Sequence, residues 1–245
     1  MIERYHTLDE EGRRVHVEVD LDFDPISDDT VWMLWAFAPL AHPNETTGCT
    51  ETEWETLREI RATLADVLEL RNGALYAGTR LQDGWAEFYF YAAWNKGAEK
   101  QFRDVFKQHG YERVEFGANR DTHHRFYHET LFPDAYELQQ IKSRDIIEAL
   151  AREGDDLAAV RDVEHYLFFQ TETAMQRCAM ALAETGGRVE TGLAEEGRYP
   201  HGLVLTLGHD CRLETLQERT RPLIEAALRE HGTYRGWSTT LAADA

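Results

Sequence analysis

The sequence predicts an α+β fold made of two tandem antiparallel sandwiches. Three observations carry that reading. Strand-like and helix-like stretches follow one another in the order β-α-β-β-α-β, twice, within 245 residues. Both runs close their second helix on a His-Gly pair and then enter a tyrosine-bearing strand, as His109-Gly110-Tyr111 and His231-Gly232-Thr233-Tyr234. A chain of this length also accommodates two small domains of about 100 residues each. The pattern is that of two ferredoxin-like sheets, each with two helices on one face, joined by a helix. It divides the chain into residues 1–137, with an extra strand at the start, and residues 138–245.

Residues 13–23 alternate Val15, Val17, Val19 and Leu21 with polar neighbours, the period of a half-buried strand. Asp24-Pro25 ends it. The next strand, Val31–Ala38, is apolar on both faces and so belongs inside a covered sheet. We expect its second face to be buried by the second domain, by the surroundings of the first strand, or by a partner subunit. Thr50-Glu51-Thr52-Glu53 reads as a capping box before Trp54, Leu57, Ile60, Leu64 and Leu68 at helical spacing, and Asn72-Gly73 stops that helix. Strands follow over 75–80 and 85–93 around the turn Gln82-Asp83-Gly84. A helix through Phe102 and Phe106 then leads to a strand over 111–116. Residues 119–137 show no period.

A helix through Leu138, Ile141, Ile147 and Leu150 runs into the acidic turn Gly154-Asp155-Asp156. The second series is a strand over 163–169, a helix over 173–184, a strand over 188–193 and a strand over 203–207. Asp210 is placed to cap a last helix, which Pro222 should bend, before a strand from Tyr234 to Leu241.

The net charge is −19. Residues 1–137 hold 14 basic against 27 acidic side chains, a balance of −13, and residues 138–245 hold 12 against 18, or −6. Such a surface repels phosphate backbones and argues against direct nucleic-acid binding. No apolar run reaches the roughly 20 residues that cross a bilayer. Cys49, Cys178 and Cys211, odd in number and widely spaced, suit reduced thiols in a cytoplasm. The expected location is cytoplasmic.

His123, His124 and His128 form the densest histidine group, but only His124 and His128 would share a helical face, so no metal site is expected. His165 reads as a hydrogen-bonded structural residue. No phosphate loop, nucleophile elbow or paired-cysteine site appears, and no catalytic residue or cofactor is expected. Trp85, Tyr89 and Tyr91 alternate onto one strand face, as base-stacking aromatics do. The charge of their domain favours burial of these rings instead.

Glu153-Gly154-Asp155-Asp156, Val163-Glu164-His165-Tyr166-Leu167 and Tyr234-Arg235-Gly236-Trp237 resemble the regulator of ribonuclease E activity B family (RraB) over about residues 138–241. Leu75-Tyr76-Ala77-Gly78, Phe88-Tyr89-Phe90-Tyr91 and Tyr127 with Leu131-Phe132-Pro133 resemble a family of unknown function, numbered six-nine-five, that often precedes it. The resemblance implies a non-enzymatic, protein-binding regulator or adaptor with ribonuclease E as its candidate partner. It puts the partner surface at Asp155, Asp156, Asp162 and Glu164. An enzyme with its site between the domains, or an RNA binder, are the alternatives.

Overall fold

The computed structural model describes residues 1–24 and 30–242. Pro25, part of the expected break at Asp24-Pro25, lies outside them. The chain forms two compact units, Met1–Pro133 and Asp134–Ala245.

The first unit runs β1 (Ile2–Leu8), β2 (Arg14–Asp20), β3 (Trp32–Pro39), the short ribbon β4 (Pro43–Asn44) and β5 (Gly48–Cys49), and α1 (Glu51–Asn72). It continues with β6 (Leu75–Gln82), β7 (Trp85–Ala92), α2 (Ala98–Gln108) and β8 (Glu115–Arg120). Its main sheet has the order β1-β2-β6-β7-β3-β8, antiparallel throughout. Four of these strands, β6-β7-β3-β8, make the ferredoxin-like sheet, and α1 and α2 cover one face of it. Leu57, Ile60, Leu64, Leu68, Phe102 and Phe106 pack there on Leu34, Ala36, Phe88 and Phe90.

Local chemistry sets the ends of α1. Thr50 accepts a hydrogen bond from the Glu53 amide at 3.3 Å, and Gly73 takes the left-handed φ of 57° that closes the helix. The Glu53 carboxylate does not complete the capping box. It accepts from the amides of Ala41 (2.6 Å) and His42 (2.8 Å) instead, and so pins the loop after β3.

Three features differ from the sequence expectation. The start of the chain supplies a hairpin rather than one strand; β1 buries only Tyr5, so it carries no alternating apolar signal. The strand expected over 111–116 begins at Glu115, because Tyr111 is used to reach Glu53, its hydroxyl donating at 3.2 Å. The second face of the sheet is covered by the connection after β8. Residues 121–133 fold back over it, with a wide helical turn at Tyr127–Leu131. Tyr5 donates to the Leu131 carbonyl (2.8 Å), Tyr127 donates to the Asp20 carbonyl (2.8 Å), and Phe126 lies 4.5 Å from the Tyr89 ring centre to centre. Gly78 makes this approach possible, since a Cβ there would sit 3.2 Å from the Leu131 side chain and 2.9 Å from the Glu18 carbonyl. Trp32 and Trp35 are each half-buried.

The second unit runs α3 (Ala135–Arg152), β9 (Arg161–Phe169), α4 (Glu172–Ala183), β10 (Arg188–Ala194), β11 (His201–His209), α5 (Leu213–Arg229) and β12 (Thr233–Thr239). A full capping box of Asp134 and Glu137 starts α3 three residues before the expected Leu138, and α3 packs within this unit against α5 and β12. The sheet order β10-β11-β9-β12, all antiparallel, repeats that of β6-β7-β3-β8. Asp210 does not cap α5. Its carboxylate accepts at 3.1 Å from the amide of Arg212, the residue just before the helix, and the helix then runs through Pro222.

Two apolar clusters line the helix side of this sheet. Leu167, Phe169, Leu203, Leu205 and Leu223 form one, and Val163, Cys211, Leu216 and Trp237 the other.

Candidate functional site

The acidic turn and β9 bring Asp155, Asp156, Asp162 and Glu164 close in sequence but into different environments. The Asp155 side chain is fully buried. One oxygen pairs with Arg161 at 2.7 Å and the other accepts from the Ala242 amide at 2.8 Å, so it ties the turn to β9 and to the chain end. Asp156 folds back to accept from the Ala158 amide at 3.0 Å, a turn bond. Asp162 is exposed. Glu164 is half-exposed and accepts from the Tyr166 hydroxyl at 2.7 Å. The carboxylates of Asp162 and Glu164 therefore reach solvent, and that of Asp155 does not.

Even-numbered residues of β9 point away from the helices, so Glu164, Tyr166 and Phe168 form a row on the other sheet face. Phe168 lies flat across Gly202, where a Cβ would come within 2.6 Å of its ring. The Arg235 guanidinium stands 5.9 Å over that ring and pairs with Glu195. A cleft of about 710 Å³ opens beside it, lined by Lys142, Tyr166, Phe168, Glu196 and Arg235 among others. Acid, aromatic and cation thus share one strip, in which Glu164 and Tyr166 are half-exposed and Phe168 is buried beneath the exposed Arg235.

Odd-numbered β9 residues point into the core, and His165 falls between the two apolar clusters. Its Nδ1 is 2.8 Å from the Tyr234 hydroxyl, its Nε2 is 3.0 Å from Nε2 of His209, and Nδ1 of His209 is 2.6 Å from the Asp210 carbonyl. A carbonyl only accepts, which sets every proton in the chain. His209 donates from Nδ1, His165 donates from Nε2 to His209, and Tyr234 donates to His165. Burial depresses the pKa of His165 to about 3, with the neighbouring His209 adding to it, and burial lowers that of His209 as well. All three polar groups are satisfied while uncharged. His165 was legible as a structural residue; its partners, 44 and 69 residues away, were not.

Residues 140–239 match the family model described as Regulator of ribonuclease activity B. The second unit is RraB-like. Residues 11–132, ahead of it, match the Family of unknown function (DUF695). No curated protein matches the chain. A solved structure described as a glycine cleavage system transcriptional repressor is 10% identical, covers 86% of this chain and 98% of its own, and superposes with a TM-score of 0.24. A superposition that loose bears on neither fold nor function.

The match spans the hydrogen-bonded chain of Tyr234, His165 and His209 as well as Phe168 and Arg235. The other residues singled out in sequence lie in the first unit. His124 is buried, and its Nε2 is 2.9 Å from the Thr30 carbonyl, whereas His123 and His128 are exposed; the three do not converge. Tyr89 and Tyr91 are buried, under Phe126 and under Phe23 with Tyr127 respectively, so their ring faces are already taken. Near the start of α1 a cleft of about 840 Å³ contains Glu53, but that carboxylate is held by two amides and Tyr111.

Proposed function

We propose that this chain is a cytoplasmic, protein-binding regulator that works without a cofactor or a reaction of its own, and that the protein it modulates is ribonuclease E. The observation that carries the reading is the match of residues 140–239 to Regulator of ribonuclease activity B. Three buried free cysteines suit a reducing compartment, and no helix among the described residues is long and apolar enough to cross a membrane. The contact surface in this reading is the acidic strip of β9, Asp162 and Glu164, with Asp155 and Asp156 shaping the turn that presents it.

Charges at the rim of an interface chiefly speed association and make it salt-dependent. Immobilised ribonuclease E should therefore capture the full chain, and the Asp162→Lys/Glu164→Lys variant should be captured more slowly at low salt, with the difference shrinking at high salt. Equal rates for both proteins at every salt concentration would remove this surface. No capture of the wild type would remove ribonuclease E as the partner.

A further inference from the structure

The two units have the same strand order, yet they treat one sheet edge differently. In the first, the edge of β6 is closed by the chain itself, since β2 pairs antiparallel with it through His16–Val19. The equivalent strand in the second unit is β10, which ends its sheet with no strand beyond it among the described residues. Six of its seven residues are exposed, and Val189 is half-buried. It carries no proline or lysine, and its two charges, Arg188 and Glu190, are of opposite sign. The opposite edge strand, β12, is flanked by α3, where Trp237 donates to Ser143 at 3.0 Å.

We propose that β10 pairs antiparallel with β10 of a second copy, joining two RraB-like sheets into one eight-stranded sheet across a two-fold axis. The sequence of the strand selects the register. Paired residues must share a sheet face, so the axis passes through a residue and not between two. An axis through Arg188 or Glu190 sets like charges opposite each other. An axis through Thr191 or beyond would run the pairing across the bulge at Gly192, with φ of 104°, and before Arg188 the chain turns at Gly186. An axis through Val189 is left. It places each Arg188 opposite the partner's Glu190, giving two ion pairs on the same face. Within one chain these two residues already meet at 3.0 Å while 63% and 66% exposed, so both are oriented and open to the partner.

Sedimentation of the full chain over a concentration series tests the pairing. The wild type should be dimeric. Arg188→Glu and Glu190→Arg should each weaken the dimer roughly tenfold by opposing like charges twice. The double variant Arg188→Glu/Glu190→Arg, which restores opposite charges in the same register, should return to near wild-type association. Val189→Pro, whose folding is checked by circular dichroism, should be monomeric. A wild type that stays monomeric overturns the proposal, as does a dimer indifferent to Val189→Pro. A double variant no better than the single ones overturns the register. None of these results depends on whether ribonuclease E is the partner.

Discussion

His165 is neutral in the folded protein because burial beside His209 holds its pKa near 3, whereas in the unfolded chain it ionises near 6.5. Below pH 6.5 the unfolded state binds a proton that the folded state does not, so stability falls with pH by about 1.4 kcal/mol per unit for this group, down to about pH 3. Above pH 6.5 it contributes no pH dependence. His209, also depressed by burial, adds to the slope as the pH falls below 6.5. His165→Gln, which keeps a hydrogen-bonding side chain but cannot titrate, should flatten the profile; denaturant midpoints between pH 5 and 7.5 measure the difference. Asp155 sets a second test. Asp155→Ala leaves the nearly buried Arg161 without its counter-ion and should cost about 3–5 kcal/mol, while Asp162→Ala on the surface should stay within about 0.5 kcal/mol. In sequence these carboxylates look alike. The pairing with Arg161 and the return of Ala242 to the turn, 87 residues later, separate them.

Elements whose signal is local were legible, and those defined by what covers them were not. Helix α1 announces itself through Thr50, the spacing of Leu57 to Leu68, and Gly73; β3 is apolar on both faces and does lie inside a covered sheet. Residues 121–133 have no period because they serve as a lid, in which single side chains such as Tyr127 and Leu131 do the packing and the residues between them face solvent. Of the expected covers for the second sheet face, the surroundings of the first strand do contribute, since Phe23 packs on Tyr91 and Tyr127, but most of the cover is this lid. Leu131 is fully buried against Gly78, so Leu131→Ala should cost about 2–5 kcal/mol, comparable to a loss in the central core. Thermal or denaturant unfolding of that single variant measures it. His128→Ala, three residues earlier and exposed, should be close to neutral and serves as the control.

For the whole molecule, the division at Pro133 has a practical outcome. Residues 134–245 expressed alone should fold, because both apolar clusters and the histidine chain lie inside that unit. Residues 1–133 should also fold, whereas a piece ending at Arg120 should aggregate, since it strips the lid from a sheet face bearing Tyr89 and Tyr91. Size-exclusion profiles and tyrosine or tryptophan emission of the three pieces decide this. The repeated strand order was readable because each unit spells out six elements in turn; the added hairpin and the bare β10 edge were not, since strand neighbours are a tertiary choice. The histidine chain has a spectroscopic consequence. His165 holds its ring proton on Nε2 and His209 on Nδ1, so the unit contains two imidazoles of opposite tautomer, both sheltered from solvent. Their nitrogen resonances should differ in a way no surface histidine reproduces, and the rate at which these two protons trade with deuterium should time the opening of the sheet core.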